Sequence, residues 1–171
     1  TRQEPFNDPL VRRAMSHLVN QEWILETNEK NNGTVAVCPT KRVYDSYNKE
    51  IEPHGYSIEK AKELLAEAGW ADTNGDGILD KNGKKLEFTF KLGSPRNFYT
   101  MVTNQLNDAC KQVGIKMNTE IVEWATYVED LTHKREFDAV CYYEGGDPWV
   151  DFYDAYHSSQ TVPGANNVSG W

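Results

Sequence analysis

The sequence predicts an α/β fold, a mixed sheet with a parallel βαβ unit flanked by helices, and three successive segments carry that reading. Leu86, Phe88, Phe90 and Leu92 alternate with Glu87, Thr89 and Lys91, the period of a strand with one buried face. Val102, Leu106, Ala109, Cys110 and Val113 then share one side of a helix expected from about Phe98 to Val113 and closed by Gly114. Ile115, Met117, Thr119 and Ile121 return to alternation. Strand, helix and strand in that order make two parallel neighbours joined by a crossover.

The elements on either side fit the same class. Asp8 before Pro9 is a helix start, because an Asx side chain accepts an orphan amide and proline is tolerated at the first helical position. Leu10, Val11, Ala14, Met15, Leu18 and Val19 extend an apolar stripe, so one long helix is expected to run to about Leu25. Asn28 to Tyr56 holds Gly33, Pro39, Pro53 and Gly55 without periodicity and reads as a long loop pinned by Tyr44, Tyr47 and Ile51. Ser57 caps a helix whose Ile58, Ala61, Leu64, Leu65 and Ala68 share a face, and Gly69 stops it. Asp72 to Gly83 is turn chemistry. A short helix is expected from Thr126 to Lys134, and Phe137 to Tyr143, apolar at nearly every position, reads as a strand buried on both faces.

The chain of 171 residues is read as a single domain over 1–171, with 39% hydrophobic residues to fill one core. Ser158 to Trp171 offers no convincing element and is expected to be an irregular tail cut from a longer parent. A net charge of -8 without any long basic run argues against nucleic acid and anionic membranes as partners. No apolar stretch approaches the roughly 20 residues of a bilayer-spanning helix. Cys38, Cys110 and Cys141 lack metal-type spacing, and Cys110 and Cys141 sit inside apolar patterns, as buried small residues do.

His17, His54, His133 and His157 share no spacing, so neither a zinc site nor a histidine-based triad is drawn, and no metal or cofactor is expected. Asp72, Asn74, Asp76 and Asp80 fall at the first, third, fifth and ninth positions of a calcium loop, but Gly83 stands where the bidentate Glu belongs. Turn chemistry is the preferred reading there, with a calcium-binding interaction module as the alternative.

Five segments in order resemble the family 5 extracellular solute-binding proteins, which serve peptide, oligopeptide and nickel ABC transporters. They are PFNDPLVRRAMSHLVNQEWIL, YSIEKAKELLAEAGW, DTNGDGILDKNGKKLEFTF, QLNDACKQVGIKMNTEIVEWATY and REFDAVCYYEGGDP. The resemblance implies a two-lobed, periplasmic-binding-protein type II-like fold, of which this chain is a partial C-terminal ligand-binding lobe. It further implies a monomeric substrate-binding component that captures a peptide or related solute between lobes and delivers it to a membrane permease. Such a protein is no enzyme and is periplasmic or extracellular, in some cases lipid-anchored.

Candidate ligand-binding residues follow from the same match. Trp124 stands where peptide-binding members place a Trp that lines the ligand, and core packing is its other reading. Tyr142 and Tyr143 close the last predicted strand and Glu144, Asp147 and Trp149 follow it, at the carboxyl end where a ligand sits in open α/β sheets. Glu144 occupies the place of a family Trp, and the segment is shorter than the pattern. Asp147 is either the Asp of an Asp-Pro pair or a carboxylate moved into the amine-binding role. A carboxylate beside paired tyrosines suits a cationic ligand or a sugar, whereas a solvated turn capping a helix at Pro148 is the plain structural reading. A hydrolase using Glu144 and Asp147 as a carboxylate pair is the remaining alternative, and nothing else in the chain supplies a nucleophile.

Overall fold

The computed structural model describes residues 4–30, 32–38, 42, 44–45, 47–94, 97–141 and 152–168. Helix α1 (Pro9–Leu18) starts as expected, with the Asp8 carboxylate accepting the amide of Leu10 at 2.8 Å. It does not run to Leu25. Val19 is extended, Asn20 caps a second helix, α2 (Gln21–Glu29), and the Asn20 side chain accepts the amide of Trp23. The break has a partner elsewhere in the chain: the Gln105 side chain donates to Leu18 O at 3.0 Å and accepts the Asn20 amide at 3.1 Å. Two groups that a continuous helix would satisfy internally are thus satisfied by a neighbouring helix.

The stretch between α2 and Ser57 carries no helix or strand among its described residues. Tyr47 is buried there, as expected, but Ile51 is exposed and pins nothing. Helix α3 (Ile58–Glu67) matches the sequence reading: Ser57 accepts the Lys60 amide, Ala61, Leu64 and Leu65 are buried, and Gly69 takes a left-handed φ of 83°. Two short strands, β1 (Asp80–Lys81) and β2 (Lys84–Lys85), pair around Asn82 and Gly83, both at positive φ as a two-residue hairpin turn requires.

The main sheet has the order β4-β3-β5. Strand β3 (Glu87–Gly93) is central; helix α4 (Asn97–Gln112) leads from it to β4 (Lys116–Val122), and the two strands are parallel in the register Glu87↔Lys116 to Gly93↔Val122. Phe88, Phe90 and Leu92 join α1, α3 and α4 in one core with Leu18, Leu65, Leu106 and Ile115. Burying each such side chain stabilises by roughly 1.5–3 kcal/mol, against about 1 kcal/mol for a helix cap, so the core and not the caps holds these layers. Within α4 the inward position goes to Thr103, while Val102 is half-buried. The alternation of β4 also fails at its far end. Thr119 and Ile121 lie beyond the core because β4 is an edge strand that only its first half carries beneath the helices.

Strand β3 shows its other face, Glu87, Thr89, Lys91 and Gly93, to helix α5 (Trp124–Glu129) and the π-helical turn Asp130–Lys134 that continues it. This element begins two residues before the expected Thr126, so Trp124 opens the helix instead of preceding it. Strand β5 (Ala139–Val140) pairs parallel with Phe90 and Lys91 but is two residues long and half-buried. The expected strand buried on both faces is corrected to this extent: β5 is the other edge of the described sheet, and Tyr142 and Tyr143 lie outside the described residues. Helix α6 (Phe152–Tyr156) and the 3₁₀ turn Ser158–Thr161 follow. Residues up to 168 are gathered by the Arg135 guanidinium, which donates to the carbonyls of Asn167, Val162 and Ala165.

Candidate functional site

The carboxyl ends of β3 and β4 meet at Ser94, whose amide donates to Val122 O at 3.1 Å. Trp124 stands immediately beyond, 56% exposed, on the first turn of α5. Beneath it, Tyr127 is 1% exposed and stacks on the Trp124 ring with centroids 5.6 Å apart and planes at 29°. An exposed indole held flat on a buried aromatic is a rigid platform, because stacking removes rotamers that a lone surface Trp would sample. Ile121 and Val128 are exposed as well.

Tyr127 fits because of Gly93: a Cβ at that glycine would lie 2.5 Å from Tyr127 Cγ. The Tyr127 hydroxyl donates to Cys141 O at 2.7 Å. Trp124 is therefore tied, through one ring and one hydrogen bond, to the residue from which the chain continues into Tyr142. Tyr142, Tyr143, Glu144, Asp147 and Trp149 themselves lie outside the described residues. Of the six predicted site residues the structure describes Trp124 alone, and it places that ring at the surface and not in the core.

The same helix is fastened by charge. Lys91 donates to the Asp130 carboxylate at 2.8 Å and to Glu136 O at 3.0 Å, and Lys134 reaches the other Asp130 oxygen at 3.1 Å. Hydrogen bonds from Lys91 and Lys134, reinforced by their charges, hold the Asp130 carboxyl below its ordinary range. Beside this pair lies an open groove of about 360 Å³, lined by Thr89, Lys91, Glu120, Arg135 and Asp138 among others. Both of its cations are engaged: Lys91 with Asp130, and Arg135 with three backbone carbonyls.

The Asp72–Asp80 loop uses its oxygens internally. Asp72 accepts the amides of Gly75 and Gly77, Asn74 that of Asp76, and Asp76 that of Ile78. Asp80 accepts from Thr73, and Asp76 also pairs with Lys85. These bonds account for the acidic spacing as a turn. Among the described residues no group of three or more His, Cys, Asp or Glu side chains converges on a metal position, and no helix is long and apolar enough to cross a membrane.

Sequence reasoning missed Tyr127, Gly93 and the Lys91–Asp130 pair. One signal was present: a glycine at the strand's end, where close approach of another group is a standing reason for one; Lys91, in line with Glu87 and Thr89, read as one more outward polar residue.

Known proteins are similar to this chain in sequence and in fold. The model for the bacterial extracellular solute-binding proteins, family 5, middle region, matches residues 1–166. The oligopeptide-binding protein AppA of Bacillus subtilis is 38% identical over 168 residues, covering 96% of this chain and 31% of that protein. The heme-binding protein A of Haemophilus influenzae is 34% identical over 130 residues, covering 74% of this chain and 22% of that protein. The solved structure of AppA in complex with a nonapeptide shares 36% identity at a TM-score of 0.90, over 99% of this chain and 34% of that one. NikZ from Campylobacter jejuni, solved in complex with Ni(L-His), shares the fold at a TM-score of 0.82 and 22% identity, again over 99% of this chain and 34% of that one. The chain spans no more than about a third of the length of these relatives. Its mixed α/β fold is that of the corresponding part of a type II periplasmic binding protein. By sequence and by fold, then, the chain belongs to the bacterial extracellular solute-binding proteins, family 5.

Proposed function

We propose that this chain supplies one wall of the ligand cleft in the substrate-binding component of an ABC importer. A second lobe closes over a small solute, and the loaded protein presents it to a membrane permease. The observation that carries this reading is Trp124: a large exposed aromatic, stacked on a buried one, at the carboxyl ends of parallel strands where ligands of open α/β folds bind. Tyr142, Tyr143, Glu144, Asp147 and Trp149 complete the wall, since the chain enters them from Cys141, at the far end of the Tyr127 hydrogen bond.

The solute is a peptide or a related small molecule. Support comes from the 38% identity to an oligopeptide-binding protein and from an aromatic platform, which accepts peptide side chains without demanding one sequence. A cationic group or a sugar face would also stack there and find Glu144 and Asp147 as acceptors. The parent protein acts as a monomer at the cell surface or in the periplasm, lipid-anchored or free, and catalyses no reaction.

A fluorescence titration of the parent protein against di- to nonapeptides, oligosaccharides and metal chelates tests this. The expected result is saturable quenching by one class, weakened at least tenfold in Trp124→Ala, since removal of a central aromatic anchor costs on the order of 2 kcal/mol or more. No response to any class, or full affinity in Trp124→Ala, overturns it.

A further inference from the structure

We propose that His17 and His54 form a two-histidine site for a divalent transition ion, with water in the remaining coordination positions. His17 lies in the last turn of α1, among the helices on the core side of β3, whereas Trp124 opens the helix on the other side. The inference therefore stands apart from the solute-binding reading.

One of the two rings is already oriented as a ligand. His17 is 8% exposed, and its Nδ1 lies 2.9 Å from Gly55 O. A carbonyl oxygen only accepts, so the ring proton sits on Nδ1 and the Nε2 lone pair is left over. Nε2 has no hydrogen-bond partner among the described residues. Metal-binding histidines are held in this way: one nitrogen donates to a carbonyl or carboxylate, which fixes the tautomer, and the other coordinates. Core packing accounts for the burial of the ring and the hydrogen bond accounts for Nδ1, but neither gives Nε2 a role.

His54 is brought to the same place by the same residue. The Ser57 amide donates to His17 O at 3.0 Å, and Gly55, at a φ of 68°, turns the chain just after His54. The exposed His54 ring has its centroid 5.4 Å from that of His17, with planes at 53°, and makes no hydrogen bond among the described residues. An ion at about 2.0–2.1 Å from an imidazole nitrogen lies about 3.2 Å from the ring centroid, so two imidazoles on one tetrahedral ion have centroids about 5 Å apart. The observed spacing suits two ligands of one ion. Among the described residues no carboxylate or thiol completes a larger group there. Two neutral nitrogen donors favour Cu²⁺, Ni²⁺ and Zn²⁺ over Mg²⁺ and Ca²⁺, and Cu²⁺ most strongly.

The test is a calorimetric titration of the parent protein with Cu²⁺, with electron paramagnetic resonance to count the coordinating nitrogens. His54→Ala removes an exposed ring. His17→Asn removes Nε2 but keeps an N–H where Nδ1 stood, so the bond to Gly55 O is retained. The unaltered protein is expected to bind one equivalent of Cu²⁺ through two imidazole nitrogens, and each variant to lose that equivalent or hold it roughly tenfold or more weakly. An ion bound elsewhere in the parent, in a solute cleft included, is unmoved by either change. No Cu²⁺ equivalent in the unaltered protein, coordination through a single imidazole, or full affinity in His54→Ala overturns the inference and leaves a plain contact between two rings. Should His17→Asn fail to fold, His54→Ala decides alone, since its ring is exposed and no hydrogen bond of the fold depends on it.

Discussion

The Lys91 ammonium sits 2.8 Å from the Asp130 carboxylate, with 10% and 8% of the two side chains exposed, so the central strand is pinned to the π-helical turn through a shielded ion pair. Lys91 and Lys134 together lower the Asp130 carboxyl below its ordinary value of 3.8. A carboxyl depressed in the folded state gives stability that is present above the unfolded value and is lost as pH falls through the folded one. Asp130→Asn is therefore expected to lower the urea midpoint at pH 7, because Lys91 loses its shielded counter-charge and keeps only the exposed Glu120 carboxylate at 3.7 Å, and to flatten the acid loss below about pH 4. Midpoints at pH 7, 4 and 3 check this; parallel curves for the two proteins would count against it.

Gln105 bridges Leu18 and Asn20 across the break between α1 and α2. Gln105→Leu keeps the volume but leaves a partly buried carbonyl and amide without a partner, a loss of about 1–3 kcal/mol. Guanidinium unfolding is the measurement, with an unchanged m-value as the sign that the fold is otherwise retained.

Gly93→Ala forces Tyr127 aside, since the added methyl meets Cγ and Cβ, atoms next to the helix backbone, and not the tip of a flexible chain. The expected cost is typically 1–3 kcal/mol, with a blue or red shift of Trp emission as the stack on Trp124 changes. Gly75→Ala is not a suitable control, because Gly75 needs a positive φ; Thr126→Ala on the exposed side of α5 is, and should be near neutral.

Burial pushes the Cys110 thiol up to about 12, and that of Cys141 upward as well. The thiolate is the reactive form, so Cys110 should resist disulfide reagents at pH 8 in the native protein and react once the chain is unfolded in guanidinium. Native-state labelling that falls by one equivalent in Cys110→Ala would contradict this.

The parts of the fold that sequence revealed are those in which one local rule acts alone. Ser57, the α3 stripe and Gly69 specify a helix without help, and the alternation from Leu86 to Leu92 specifies a strand. The misread parts depend on a distant residue. A continuous apolar stripe hides the break at Val19 because its reason is Gln105, more than eighty residues away. Ile121 alternates correctly and is still exposed, since periodicity assigns a face but not what covers it. Trp124 was picked out by its place in the family pattern and is exposed, not packed in the core, whereas nothing singled out Tyr127: its partners, Gly93 and Cys141, come together only when β3, α5 and β5 assemble.

The Trp124–Lys134 element and Arg135 after it hold the chain at two places, Cys141 and residues 162–167. Tyr127 takes Cys141, and Arg135, at the close of the π turn, takes the carbonyls of residues 162–167, while Asn167 in turn donates to His157 O. Joining Cys141 to residues 162–167 closes a loop of twenty intervening residues, an entropic debt that grows only slowly with length. Here the folding of one element meets that cost, so the places of Cys141 and of residues 162–167 are set together.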